Sequence, residues 1–214
     1  MKRLVVAAFS VLSTPTSLSA QVIRFGFKAG GSVTTLIGPG AGVGSEILPL
    51  AGFVGGVFRT FALSPTGRVF LQAELLYSQQ GYCLSHPLTN YTAKLRSTNV
   101  CLPLLLTYTY RGFFVESGPQ LGYLAGMRER FRFQQPNGAG PAVRLNTDPS
   151  GHPRWDLAAG VGAGYRQPGG LGIEARYVGS FTSIYYPSGG PAPHARPRHA
   201  GVQLQVSYLL SGGH

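Results

Sequence analysis

The sequence predicts an all-β fold, an eight-stranded antiparallel up-and-down transmembrane β-barrel, and three observations predict it. Segments of about 9 to 13 residues alternate apolar and polar side chains, as strands with one face on lipid must. Tight turns and long connections alternate between these segments. After Gln21 there is no run of about 18 apolar residues, so only strands are available to cross a bilayer. Composition agrees: of 214 residues 12% are charged, and Gly (31), Tyr (11) and Phe (12) are abundant, unlike a soluble helical protein and short of disorder.

Residues 1–20 read as a secretory signal peptide, and residues 21–214 as one barrel domain. Lys2-Arg3 precede an apolar run from Leu4 to Leu12, and Ser17-Leu18-Ser19-Ala20 precede Gln21. Leu18 departs from the A-x-A cleavage pattern, and a retained anchor is the alternative, although the apolar core is too short to span.

The first strand, Ile23 to Gly30, sets Ile23, Phe25, Phe27 and Ala29 against Arg24, Gly26, Lys28 and Gly30. Ala51 to Ala62 is less regular: Gly55-Gly56 blurs its alternation, suggests a bulge, and leaves the direction of Arg59 open. In Arg68 to Gln80 the outer set is Val69, Leu71, Ala73, Leu75 and Tyr77, with Gln72, Glu74 and Ser78 inside. Thr98 to Tyr110 sends Val100, Leu102, Leu104, Leu106, Tyr108 and Tyr110 one way, and Pro103 suggests a bulge or a strand start. Phe113 to Ala125 follows. Trp155 to Arg166 has an inner face of small residues, including Gly160, Gly162 and Gly164. Leu171 to Ser180 places Gly172, Glu174 and Arg176 inside, and the last strand has Val202, Leu204, Val206, Tyr208 and Leu210 outside. Ser64-Pro65-Thr66-Gly67, Arg111-Gly112 and Gln167-Pro168-Gly169-Gly170 carry turn chemistry. The stretches 34–50, 81–97, 126–154 and 186–198 are expected as long loops.

This assignment distributes the charges. Glu74, Glu116, Asp156 and Glu174 face inward beside Arg24, Lys28, Arg166 and Arg176, an expected lumen network of four anions and four cations. A buried charge without a partner costs several kcal/mol, and eight strands leave room only for side chains, so a filled lumen is expected. The other acids, Glu46, Glu129 and Asp148, fall in the long loops. Those loops also hold Lys94, Arg96, Arg128, Arg130, Arg132, Arg144, Arg154, Arg196 and Arg198. Guanidinium groups bind phosphate bidentately, so Arg96, Arg128, Arg130, Arg132, Arg196 and Arg198 are candidate contacts for lipopolysaccharide, the alternative being a solvated charged rim. Nucleic acid is excluded as a partner by the export signal, despite the basic composition. Tyr77, Tyr108, Tyr110, Phe113, Tyr123, Trp155, Tyr165, Tyr177, Phe181 and Tyr208 recur near strand ends, as interfacial girdles do.

Little else points to chemistry. Cys83 and Cys101 flank one long connection; an oxidising periplasm permits a disulfide, but an inward Cys101 and a loop Cys83 need not come within bonding reach. His86, His152, His194, His199 and His214 lack metal-ligand spacing, so no metal or cofactor is expected. No G-x-S-x-G occurs, and His199 with Ser180 is the one serine–histidine pairing to note.

The run Phe25-Gly26-Phe27-Lys28-Ala29-Gly30, then Leu71 to Gly81, Leu102-Pro103-Leu104-Leu105-Leu106, Gly118-Pro119-Gln120-Leu121-Gly122-Tyr123, Gly160 to Arg166 and Gly172 to Tyr177, resembles the PorT-like outer-membrane β-barrel family. The resemblance covers nearly all of residues 21–214 and implies the fold and the outer membrane. The family is functionally mixed; its name-giving members assist a protein-secretion system, and no catalytic residue carries over. The ending departs from the pattern: Ser211 to His214 follow Tyr208-Leu209-Leu210, leaving Tyr208 as the aromatic for recognition by the barrel-assembly machinery. The expected function is a non-enzymatic structural or interaction platform. A secretion or surface protein would be its partner, and the alternatives are an outer-leaflet lipid-modifying enzyme and a narrow small-solute channel.

Overall fold

The computed structural model describes residues 23–39, 46–86, 91–135, 138–147, 153–183 and 197–210; the expected signal peptide lies outside them. Nine strands run in chain order: β1 (Ile23–Ile37), β2 (Glu46–Ala62), β3 (Val69–His86), β4 (Tyr91–Tyr110), β5 (Phe113–Gln135), β6 (Gly138–Thr147), β7 (Trp155–Arg166), β8 (Leu171–Ser180) and β9 (Arg198–Leu209). Eight of them close a ring of antiparallel pairs, β1-β2-β3-β4-β5-β7-β8-β9, with β9 returning to β1. Closure leaves no strand edge inside the hydrocarbon, where an unpaired backbone group could not be satisfied.

β6 is outside the ring. It pairs with the upper part of β5, Met127 opposite Thr147 and Arg130 opposite Arg144. The expected loop 126–154 is therefore largely a hairpin, and 34–50 and 81–97 are also mostly strand. The period-two signal is lost there because the outward face leaves the lipid and takes polar residues such as Lys94 and Arg96, while inward positions such as Tyr82 and Ser97 stay buried and the backbone ladder continues. The wall is consequently uneven: β5 has 23 residues and β4 has 20, whereas β8 has 10 and β7 and β9 have 12 each.

The apolar side chains form an outer belt. Val100, Leu102, Leu104, Leu106, Tyr108 and Tyr110 are all exposed on β4, with Leu106 at 54%. Ten residues at about 3.3 Å per residue, on a strand tilted by about 40°, rise about 25 Å, the height of the hydrocarbon band. The short-turn end is closed by tight connections. Arg111 and Gly112 both adopt positive φ (52° and 86°), which suits a two-residue hairpin turn.

Two bulge expectations are corrected. Pro103 is a buried interior residue of β4 opposite Gln120, with no register shift; the ladder to β3 passes from Leu104 to Cys101 because proline has no N–H to donate. The irregularity in β2 falls between Pro49 and Val54, before Gly55-Gly56. Arg59 lies between the inward Phe58 and Thr60, so it faces out, its guanidinium 5.1 Å from the Phe61 ring. A further bulge lies in β5. Thr98 pairs with Gly126 but Asn99 with Leu124, leaving Ala125 unpaired. Below it the even-numbered residues of β5 face inward (Glu116, Gln120, Leu124); above it Met127 is buried and Arg128 exposed. One inserted residue has exchanged the two faces.

Candidate functional site

Five buried ionisable side chains fill the middle of the lumen. Lys28 on β1 donates to Glu74 on β3 (2.8 Å) and to Glu174 on β8 (2.5 Å). Arg176, also on β8, donates through Nε to Glu116 (2.7 Å), through Nη1 to Glu74 Oε2 (2.8 Å), and through Nη2 to Glu74 Oε1 (2.9 Å) and Glu174 (3.2 Å). Gln72 adds a bond to Glu74 (2.6 Å). Inward alternation of β1, β3, β5 and β8 brings these residues to one level, and Gly162 makes space: a Cβ there would lie 3.0 Å from Glu116 Oε1 and 2.8 Å from the Ala175 carbonyl. Below the cluster Phe58 sits 5.0 Å from Lys28 Nζ, and above it Val54, Leu76 and Cys101 form a buried apolar group.

Three of the eight expected lumen residues stand apart. Arg24 is exposed at the short-turn mouth, too close to the end of β1 to reach the carboxylates. Arg166 is held over Phe114 (4.9 Å) and Phe58 (5.5 Å), and its Nε and Nη2 are buried without a hydrogen-bond partner. Asp156 is at the opposite end, where it accepts the Ser180 hydroxyl. The lumen is therefore layered: the central cluster carries three carboxylates and two cations, with two arginines towards one mouth and an aspartate towards the other.

The Asp156 end opens into a cleft of about 580 Å³ whose walls include Gln80, Tyr82, Asn99, Ser180 and His199. Tyr82 and His199 have ring centroids 6.2 Å apart. Ser180 thus does share a cleft with His199. Its hydroxyl is directed at Asp156, however, and His199 Nδ1 has no partner, so the serine–base hydrogen bond of a nucleophile is lacking among the described residues.

The basic residues beyond the belt are brought together by strand register. Lys94 is opposite Arg130, Arg96 opposite Arg128 and Thr92 opposite Arg132, all on the outward face directly above Val100 and Tyr123. The backbone of Arg144 continues the row beside Arg130. Thr92, Lys94, Arg130 and Arg132 line a depression of about 520 Å³. Directly opposed like charges in a ladder repel, so this face is electrostatically complementary to an anion. Arg96 is anchored by a bond to the Ala51 carbonyl (3.0 Å). Arg198 lies beside Ile37 on the other side of the ring, away from this group, and Arg196 is outside the described residues.

The possible disulfide is ruled out by register. Cys101 lies opposite Leu76, facing in, while Cys83 is seven residues further up β3, opposite Lys94 and facing out. That offset is about 23 Å along the strand, against a Cα separation below about 7 Å in a disulfide. Both thiols are free and buried.

Residues 19–186 match the family described as outer membrane protein beta-barrel domain. The chain belongs to that family. Its place is the bacterial outer membrane, in agreement with the lipid-facing belt. No curated protein sequence matches it. Among solved structures this outer-membrane barrel is similar to Neisserial surface protein A, at 10% identity over 86% of this chain and 96% of that one, with a TM-score of 0.49. It is also similar to the attachment invasion locus protein Ail of Yersinia pestis (10% identity, 87% and 98% covered, TM-score 0.41). A third likeness is to OprG of Pseudomonas aeruginosa (14%, 90% and 98%, 0.41).

Proposed function

We propose that this outer-membrane barrel is a non-catalytic platform: a plugged lumen carries a tall basic sheet that binds phosphorylated glycolipid of the outer leaflet. The observation that carries this reading is the position of the cations. Arg96, Arg128, Arg130 and Arg132, joined by Lys94, occupy one outward face where the apolar belt of β4 and β5 ends, the depth at which outer-leaflet phosphates lie. A plugged centre argues against a diffusion channel. The PorT-like resemblance adds that a secretion or surface protein would meet the same projecting sheet, with lipid fixing its orientation.

The test is native mass spectrometry of the detergent-folded protein with purified lipid A, compared with the variant carrying Arg96→Gln, Arg128→Gln, Arg130→Gln and Arg132→Gln. Lipid A affinity should fall by about tenfold or more in the variant, while binding of phosphatidylethanolamine stays the same. Equal lipid A affinity in the two proteins would remove the basis of the proposal.

A further inference from the structure

At the short-turn mouth, opposite the basic sheet, lies a cleft of about 750 Å³. Its wall includes Arg24, Gln72, Thr107 and Arg166. Three of these present polar atoms with nothing to bind: Arg166 Nε and Nη2, Thr107 Oγ1 and Gln72 Oε1 are all buried and without hydrogen-bond partners. Thr107 is 2% exposed and Gln72 is fully buried, so these atoms are met only by what occupies the cleft. Among the described residues neither Arg24 nor Arg166 makes an ion pair.

We infer that this cleft is a binding site for a small oxyanion that carries an adjacent N–H or O–H group, taken from the periplasm. Charge supports it. Two guanidinium groups, those of Arg24 and Arg166, line this cleft with no carboxylate in ion-pair contact among the described residues. The donor set supports it too. Arg166 offers its Nε and Nη2 donors beside Phe58 and Phe114, which hold the guanidinium in place, and the exposed Arg24 adds a second cation at the entrance. Gln72 Oε1 can only accept, so the occupant must also donate. Monohydrogen phosphate and an acylated amino acid, whose amide N–H adjoins its carboxylate, both fit this requirement; acetate lacks the donor. Short periplasmic turns place the cleft on the periplasmic side.

The test follows the arginine Nε–Hε resonances of the isotope-labelled, detergent-folded protein by NMR, with inorganic phosphate, N-acetylalanine and acetate as separate probes. A saturable shift of the Arg166 resonance is expected with phosphate, N-acetylalanine or both, and about tenfold weaker binding with acetate. Which of the first two binds distinguishes a phosphate source from a carboxylate source. Arg24→Gln, at an exposed position, should keep the heat-modifiable folded form and weaken binding by about tenfold. Arg130→Gln, at the far end of the molecule, should leave the titration unchanged. The inference is overturned if no probe shifts the Arg166 resonance saturably, or if Arg24→Gln binds as the unaltered protein does.

Discussion

Replacing Arg176 by methionine isolates the contribution of the lumen cluster. The guanidinium makes four charge-assisted hydrogen bonds, of 2.7, 2.8, 2.9 and 3.2 Å, to three carboxylates. At about 1.5–3 kcal/mol each a simple sum overstates the loss, because Glu74 and Glu174 keep Lys28 and the bonds are not independent. The governing quantity is the burial of three carboxylates beside a single remaining ion-pair partner. Removing one partner from a buried pair costs about 3–5 kcal/mol, and Arg176→Met should destabilise the barrel by that amount. Trp155 is the only tryptophan and lies at the lipid-facing rim, so its fluorescence reports unfolding in urea from detergent or vesicles. Adding Glu116→Gln to Arg176→Met restores the net charge of the cluster and should recover at least about 1 kcal/mol of the loss. A variant within about 1 kcal/mol of the unaltered protein would show that the cluster is dispensable for stability and refute the reasoning.

Other consequences are open to measurement. In planar bilayers the barrel should give no steady conductance, since charged and apolar layers fill its axis; a stable open current would sink the filled-lumen account. Denatured without reductant, the chain should take up two maleimide groups, one at each cysteine; uptake of none would mean a bridge that the β3–β4 register forbids. Gly162→Val should cost about 1–3 kcal/mol in the same urea experiment, because the Ala175 carbonyl it would strike is backbone and cannot move aside; unchanged stability would mean the β7–β8 spacing is looser than described.

How far the sequence could be read depended on whether a strand had lipid beside it. From Val100 to Tyr110 hydrocarbon demands an apolar residue at every second position, and the alternation shows the strand and its direction. From Thr92 to Ser97 the outward face of the same strand has left the lipid, so polar residues such as Lys94, Arg96 and Ser97 occupy both faces and the segment resembles a loop. The lumen cluster was legible in part. Inward parity located Lys28, Glu74, Glu116, Glu174 and Arg176, but parity carries no information on depth, so Arg24 and Asp156, at opposite mouths, fell into the same group. The cleft at the short-turn mouth left no trace in the sequence. Its orphaned atoms on Gln72 and Thr107 are neighbours across the β3–β4 hairpin, and Arg166 on β7 reaches them only because the ring closes.

The unpaired Ala125 has an outsized effect on what the molecule shows to its surroundings. Loss of that single codon would restore unbroken alternation along β5 and turn Arg128, Arg130 and Arg132 towards the mouth of the barrel, leaving Lys94 and Arg96 without their cross-strand counterparts. The composition, the net charge and nearly every hydrogen bond below the bulge would survive such a deletion. Sidedness at the cell surface is thus encoded by the count of residues between Leu124 and Arg128, a kind of information that a comparison of residue types alone does not register.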